Sequence, residues 1–215
     1  MDAVASPLTV DRVYAERGLF VCFEGGEGAG KSTQAQLLAD AIADREVVLT
    51  REPGGTATGQ RIREILLDPE TGSLDHRAEA LLYAADKSEH LRSVIVPALD
   101  RGAVVVCDRY VDSTLAYQGA GRDLDPAELE GIVRWATNGL RPHLTVLLDV
   151  APSDGLGRFE ERDRIEAEGP EFHARVRAGF LALAEQDPEH YLVLDARGDR
   201  ADLAATIRAR IEALL

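Results

Sequence analysis

The octapeptide Gly25–Ser32, GGEGAGKS, constrains the fold of this chain more than any other feature. It matches the pattern G-x-x-x-x-G-K-[ST], in which glycines let successive backbone N–H groups point inward at phosphate oxygens. The pattern requires a strand before the loop and a helix after it, because a helix N-terminus favours anions. Leu19–Glu24 (LFVCFE) has the apolar character of a buried strand, and Lys31–Ala43 that of a helix. The sequence therefore predicts a strand–loop–helix unit that binds the phosphates of a nucleoside triphosphate.

Two side chains of this loop carry its chemistry. Lys31 can reach the β- and γ-phosphates, and the hydroxyl of Ser32 can ligate Mg²⁺. Lys31 is one of only two lysines in the chain, which makes it a stronger indication of function than any of the abundant arginines. The predicted ATP-binding residues are Gly25, Gly26, Glu27, Gly28, Ala29, Gly30, Lys31, Ser32 and Thr33.

Short apolar runs alternate with longer amphipathic segments along the rest of the chain. This alternation predicts an α/β fold in which helices cover both faces of a five-stranded parallel sheet. Further strands are predicted at Glu46–Thr50, Ala103–Cys107, Leu144–Val150 and Tyr191–Leu194. Further helices are predicted at Thr58–Leu67, Asp75–Leu99 with Pro97 bending or ending it, Pro126–Asn138, Glu171–Glu185 and Asp199–Leu214.

The bulk properties limit the possible organisation and partners. A chain of 215 residues fits one domain, predicted at 18–215, after an N-terminal extension at 1–17 that does not resemble a signal peptide. The net charge of −14 disfavours a nucleic acid partner. No apolar run approaches the length of a membrane span, so no membrane partner is expected. Cys22 and Cys107 lie in apolar runs and are predicted to be buried free thiols of a cytoplasmic protein.

Two further segments follow predicted strands and should lie at the same edge of the sheet as the phosphate loop. Asp108-Arg109-Tyr110 comes directly after a strand. Asp108 is placed to contact Mg²⁺ or to orient an acceptor, and Arg109 to pair with a phosphate. The segment Arg51–Thr56 (REPGGT) adds a cation and two glycines that allow a close backbone approach.

Five segments together resemble the thymidylate kinase family. They are FEGGEGAGKST (Phe23–Thr33), REPGGT (Arg51–Thr56), LLYAADKSEH (Leu81–His90), DRYVDSTLAYQGAGR (Asp108–Arg122) and GLRPHLTVLLDV (Gly139–Val150). The resemblance implies a three-layer α/β/α P-loop kinase fold, and the lid of this chain looks shorter and more acidic than is usual in the family. It also implies transfer of the γ-phosphoryl group of ATP to thymidine 5′-monophosphate (dTMP), with Mg²⁺, in the biosynthesis of dTTP. The family typically forms homodimers, so a homodimer is expected.

The resemblance also implies the residues of the acceptor site. Glu27 would lie between donor and acceptor, near the acceptor sugar or the metal, so the implied metal ligands are Ser32, Asp108 and Glu27. Tyr83 stands where the family usually has a phenylalanine, and Lys87 where it usually has an arginine. Their spacing of four places both on one helix face, where a ring and a cation can grip a base. The implied dTMP-binding residues are Glu27, Arg51, Glu52, Pro53, Tyr83, Lys87, Arg109, Ser113, Thr114, Tyr117 and Gln118.

A charged segment at about 154–169 lacks apolar periodicity and is interpreted as a surface lid. The variable positions of the phosphate loop hold no cation, so the lid is expected to supply part of the charge that phosphoryl transfer needs. Arg158 and Arg162 are favoured over Arg164 for this role. The predicted catalytic residues are therefore Lys31, Arg109, Arg158 and Arg162.

Other functions remain possible from the sequence. A deoxynucleoside kinase or another nucleoside monophosphate kinase would share the phosphate loop, although the REPGGT segment favours a monophosphate acceptor. A GTP-dependent switch usually carries an N-K-x-D motif, which this chain lacks. An inactive P-loop module is disfavoured by the presence of Lys31, Ser32 and Asp108.

Overall fold

The computed structural model describes residues 12–156 and 163–215 and shows a three-layer α/β/α domain. Its centre is one sheet of five parallel strands in the order β2-β3-β1-β4-β5. After β1 the chain builds one side of the sheet and then crosses to the other. The carboxyl edge of β1 therefore lies at the switch point where ligands bind in such sheets. The strands are β1 Leu19–Glu24, β2 Val47–Arg51, β3 Val104–Asp108, β4 Leu144–Asp149 and β5 Tyr191–Asp195.

The central strands are mostly apolar because helices cover both of their faces, and acidic residues such as Glu24 and Asp108 stand at their carboxyl ends. Alternate residues of β1 belong to different cores, with Phe20 and Cys22 on one face and Val21 and Phe23 on the other. Cys22 lies opposite Cys107 in the register of β1 and β3, and both are buried free thiols, which confirms that prediction.

Helices connect the strands and cover the sheet. Three helix N-termini carry an aspartate whose side chain accepts from the first backbone N–H groups, at Asp75, Asp125 and Asp199. The helices are α1 Lys31–Ala41, α2 Ala57–Leu67, α3 His76–His90, α4 Val96–Asp100, α5 Val111–Thr114, α6 Pro126–Thr137, α7 Pro152–Leu156, α8 Pro170–Gln186 and α9 Arg200–Glu212. Short 3₁₀ turns lie at Pro69–Thr71 and Pro188–His190.

Several stretches differ from the sequence-based helices, and the short helices α5 and α7 were not predicted. The helix predicted at Asp75–Leu99 widens into a π-helical turn at Leu91–Ile95 and ends as α4, because Pro97 has no N–H for the ladder. A second π-helical stretch, Leu115–Gly121, continues α5 and was not predicted. It carries Tyr117 and Gln118 at the edge of the site, where such irregular turns often occur.

Not every described residue of the lid segment lies at the surface. Ile165 is 4% exposed and packs in a core cluster with Tyr117 and Phe172. The interpretation of the whole segment as a surface excursion is therefore wrong for Ile165, because one apolar residue among charges gives no periodicity to detect.

The described part of the N-terminal extension pairs with the domain. Val13 forms a parallel bridge with Leu140, its N–H donates to the Gly139 carbonyl at 3.0 Å, and its carbonyl accepts from the Arg141 N–H at 2.8 Å. Across the described residues, 12–156 and 163–215, no helix has the length and apolar character needed to cross a membrane.

Candidate functional site

The phosphate loop runs from the end of β1 into α1, as its sequence requires. Gly25 has a φ of 138°, and a Cβ there would lie 2.3 Å from the Leu148 carbonyl oxygen. Gly28 has a φ of 68°, and its added Cβ would lie 2.5 Å from the Gly155 carbonyl oxygen. Both positions therefore need glycine for backbone conformation and for space. The second contact packs the loop directly against α7, at the start of the lid segment.

Two polar groups of α1 stand at this loop. The Lys31 Nζ donates to the carbonyl oxygens of Gly25 at 3.1 Å and Gly26 at 2.7 Å, which holds the ammonium over the loop. Burial and the nearby Arg109 lower the pKa of Lys31. The Ser32 Oγ donates to the Asp108 Oδ2 at 2.5 Å, so a hydroxyl from the start of α1 and a carboxylate from the end of β3 meet beside the loop.

Arg109 joins the phosphate loop to the next part of the site. Its Nη1 donates to the Gly25 carbonyl and to the Ser113 Oγ, each at 3.1 Å. Its Nη2 donates to the Glu27 Oε1 at 2.6 Å and to the Tyr117 Oη at 3.2 Å. Arg109 has a φ of 70°, a left-handed conformation that costs a non-glycine residue energy and that is typical of functional sites.

Glu27 is held as an anion beside Arg109. The Tyr117 hydroxyl donates to the same Oε1 atom at 2.7 Å. Burial opposes ionisation of this carboxyl, but the charges of Arg109 and Lys31 outweigh it and lower the pKa of Glu27 to about 2. None of the contacts among described residues links Glu27 to Ser32 or Asp108, so its predicted role as a metal ligand stays a prediction.

A cavity of about 110 Å³ opens beyond Arg109. Ten of the predicted acceptor residues line it, and Arg51 does not. These ten come from distant parts of the chain, namely the phosphate loop, the turn after β2, α3, the turn after β3, and α5 with its π-helical continuation. They are Glu27, Glu52, Pro53, Tyr83, Lys87, Arg109, Ser113, Thr114, Tyr117 and Gln118.

Lys87 and Tyr83 share one face of α3, which confirms the spacing argument. The Lys87 Nζ lies 5.8 Å from the Tyr83 ring centroid. Lys87 is almost completely buried, and its Nζ pairs with the Glu52 Oε2 at 2.9 Å. The other oxygen of Glu52 bonds the His90 Nδ1 at 2.8 Å. Glu52 therefore serves at least to hold Lys87 at the cavity wall.

The structure separates Arg51 from this cavity. Arg51 lines a neighbouring groove together with Ser32 and Asp108. Arg63, a residue that the sequence analysis did not name, lines this cavity instead, and its Nη1 donates to the Pro53 carbonyl at 3.1 Å. Arg63 lies at a helix position that the sequence pattern would place in solvent, and the chain has many arginines. No sequence feature therefore distinguishes Arg63 from the other arginines.

Sequence reasoning also missed Glu24, which organises the turn after β3. Its Oε1 accepts from the N–H groups of Tyr110 at 2.8 Å and Ser113 at 3.1 Å, and its Oε2 accepts from the Ser113 Oγ at 2.6 Å. Burial and Asp112 raise the pKa of this completely buried carboxyl. The sequence did offer one indication of this role: Glu24 is an acidic residue at the end of an apolar strand, and a carboxylate buried there needs hydrogen-bond partners.

The lid arginines divide into two groups. Arg158 and Arg162 lie outside the described residues. Arg164 is described and is tied to the domain, where its Nε donates to the Leu66 carbonyl at 2.7 Å and its Nη2 donates to the buried Glu79. Asp163, Ile165 and Glu166, also missed from the sequence, line the acceptor cavity.

The domain has a parallel sheet between two helical layers, with a phosphate loop after the central strand. One arginine connects this loop to a second cavity. These features together define the P-loop phosphotransferase class. A family model for thymidylate kinase matches residues 23–207. A thymidylate kinase of Cutibacterium acnes is 56% identical over 200 residues, which cover 92% of this chain and 98% of the relative. One of Clavibacter sepedonicus is 52% identical, covering 92% and 96%, and one of Desulfovibrio desulfuricans is 48% identical, covering 92% and 96%. The chain belongs to the thymidylate kinase family.

Proposed function

We propose that this protein transfers the γ-phosphoryl group of ATP to dTMP and so forms the diphosphate for dTTP biosynthesis. The observation that carries the proposal is the position of Arg109. One side chain contacts the phosphate loop at Gly25 and the acceptor cavity at Ser113 and Tyr117. A cation between the two sites can bind an acceptor phosphate facing the donor, which is the arrangement that in-line transfer requires.

Mg²⁺ fits the pair formed by Ser32 and Asp108. Mg²⁺ prefers oxygen ligands and is usually bound by one or two protein groups together with substrate phosphates. The hydroxyl and the carboxylate already meet beside the phosphate loop. When bound, the ion would neutralise charge on the transferring phosphoryl group. No general base is needed, because the acceptor phosphate is already an anion at neutral pH.

The chain's own residues would divide the remaining work. Lys31 would bind the β- and γ-phosphates, and Arg109 the acceptor phosphate. Glu27 and Tyr117 hold the Arg109 guanidinium from the cavity side, which fixes its orientation. Tyr83, Thr114 and Gln118 would contact the base. The Thr114 Oγ1 is buried with no hydrogen-bond partner among the described residues, so it is available to a ligand.

An acceptor panel tests this function. Purified protein with ATP and Mg²⁺ should form a diphosphate from dTMP and much less product from thymidine or from purine monophosphates. Preference for thymidine over dTMP would overturn the proposal in favour of a deoxynucleoside kinase. Tight GTP binding without turnover of any acceptor would favour a switch protein instead.

Arg158 and Arg162 stay predictions as additional catalytic cations. The phosphate loop offers Lys31 as its only side-chain cation, and an added arginine is typically worth about 10³-fold in rate. Single-turnover rates of Arg158→Ala and Arg162→Ala should therefore fall strongly for at least one variant. Near wild-type rates in both would show that these residues do not supply the charge. A cytoplasmic location likewise stays a prediction.

We further propose a homodimer through α3 and α6. Trp135 is 82% exposed and Leu81 is 55% exposed, and both line one apolar groove. Exposed patches of this kind mark interaction sites. Arg77 and Glu128 flank the groove and pair with each other at 3.7 Å on the surface, so a second copy related by two-fold symmetry could exchange these partners across the interface.

Sedimentation of a charged variant tests the dimer. Trp135→Glu should shift the protein from dimer to monomer, because the new charge would be buried at the interface. Leu214→Glu, at an exposed apolar residue near the C-terminus, is the matched control and should leave the mass unchanged. A wild-type protein that sediments as a monomer at micromolar concentration would refute the proposal.

A further inference from the structure

A buried carboxylate on α3, Glu79, connects three parts of the molecule. Its side chain is completely buried. Its Oε1 accepts from the Gln118 Nε2 at 3.0 Å and the Arg122 Nε at 3.1 Å. Its Oε2 accepts from the Arg122 Nη2 at 3.2 Å and from the Arg164 Nη2. Glu79 thereby ties α3 to the π-helical stretch and to the lid end.

The charge state of this cluster is well defined. Burial opposes ionisation of Glu79, but the hydrogen bonds from Arg122, Gln118 and Arg164 outweigh it and lower the pKa of the carboxyl. Glu168 also pairs with Arg122, so two anions face two cations. At neutral pH Glu79 is therefore a carboxylate, and a carboxylate can only accept hydrogen bonds.

Because the Glu79 carboxylate can only accept hydrogen bonds, it determines the orientation of the Gln118 side-chain amide. Gln118 lines the acceptor cavity and has one donor end and one acceptor end. The donor end must face Glu79, because an amide oxygen there would meet a carboxylate oxygen. The amide oxygen, which this orientation turns away from Glu79, is then the acceptor that Gln118 can present to the cavity.

We propose that Glu79 is a positioning residue for acceptor choice: it fixes the Gln118 amide so that the site selects a pyrimidine whose ring N3 carries a hydrogen. The inference rests on the proposed function and deepens it. Thymine and uracil present such an N–H donor, whereas N3 of cytosine is an acceptor at neutral pH. An amide oxygen facing a cytosine N3 would leave two acceptors unpaired in a buried site, which costs binding.

The test compares dTMP with 5-methyldeoxycytidine monophosphate, which differs in the ring only at N3 and the adjoining exocyclic group. Glu79→Gln replaces the carboxylate by an amide of the same shape. Two arginine N–H groups donate to Oε2 and only one to Oε1, so the new oxygen should take the Oε2 position, at the cost of the Arg122 Nε bond, and the new NH₂ group then faces Gln118 and turns its amide around. The ratio of kcat/KM for dTMP to that for the cytosine analogue should fall at least about tenfold, the equivalent of one hydrogen bond.

The ratio separates positioning from a merely structural role, because a general loss of packing lowers both kcat/KM values together. Arg164→Gln is the matched control: it removes another partner of Glu79 and leaves the Gln118 contact, so the ratio should stay at the wild-type value. If Glu79→Gln does not fold, the double variant Glu79→Met/Arg164→Met removes one charge of each sign, which buried clusters tolerate better. It should also lower the ratio.

Two results would overturn the inference. One is a folded Glu79→Gln or double variant with the wild-type ratio. The other is a wild-type enzyme that phosphorylates dTMP and the cytosine analogue equally well. A wild-type protein that does not phosphorylate dTMP at all would instead refute the proposed function, so the two failures are distinguishable.

Discussion

The phosphate loop, which we propose binds the donor, and the cavity beyond Arg109, which we propose binds the acceptor, differ in how the chain forms them. The loop is one contiguous segment, and its geometry depends on backbone conformation at glycines such as Gly25. The cavity is assembled from side chains of distant segments, and buried ion pairs such as Lys87 with Glu52 hold its wall. The donor side should therefore be sensitive to added volume, and the acceptor side to changes in charge and hydrogen bonding.

The largest expected effect lies on the donor side. Lys31→Met removes the cation that is held over the loop by the Gly25 and Gly26 carbonyls. We expect kcat to fall about 10³-fold, because charge on the transferring group loses its fixed partner. A coupled assay of ADP release measures this. Arg208→Gln, an exposed cation on α9, is the control and should retain wild-type kcat.

Arg109 belongs to both regions, so its replacement tests whether they act together. Arg109→Lys keeps the charge but loses the fork that contacts Gly25 and Ser113 through one nitrogen and Glu27 and Tyr117 through the other. We expect kcat/KM for dTMP to fall about 10²-fold. A fall in the affinity for ATP alone would contradict a bridging role.

Added side-chain volume at Gly155, at the start of the lid segment, should weaken ATP binding more than dTMP binding. A Cβ at Gly155 would lie 2.0 Å from the Glu27 carbonyl oxygen, so Gly155→Ala must displace the phosphate loop. We expect about a tenfold rise in KM for ATP, with a smaller change in KM for dTMP. Gly169→Ala, where an added Cβ meets open space, is the matched control. Equal changes in the two KM values would contradict the separation of the regions.

The smallest effect is a pH dependence of stability. The folded-state pKa of Glu27 is about 2, below its ordinary value of 4.5, so its contribution is complete above pH 4.5 and is lost as the pH falls towards 2. Between pH 6 and 3.5 the wild type should lose about 1.4 kcal/mol more unfolding free energy than Glu27→Gln. Urea titrations measure the difference, and parallel profiles would show that Arg109 and Lys31 do not stabilise this carboxylate.

Local patterns predicted most of the fold and the donor half of the site. Each of the five strands lies within one residue of its predicted bounds, because a run such as Ala103–Cys107 is apolar at every position and holds three consecutive β-branched valines. The phosphate loop is recognisable because its chemistry needs fixed residue types at fixed spacing. The π-helical turns were missed, since they depend on how Pro97 and the residues near Gly121 pack and not on a local period.

The acceptor half shows where sequence reasoning stops. Resemblance supplied Tyr117 and Gln118, but nothing local indicated that Arg63 would line the cavity in place of Arg51. Likewise, Arg164 is one arginine in a charged segment until the fold brings it to Glu79, 85 residues away.

The sequence by itself determined the alternation of strands and helices, the position of the phosphate loop and the family, because these depend on spacing along the chain. Only the tertiary structure decided which charges are paired in the interior, that Lys87 is buried against Glu52, and that Gln118 faces Glu79 with its amide nitrogen. Hydrogen bonds and ion pairs depend on distances of a few ångströms between residues far apart in sequence, and folding alone sets those distances.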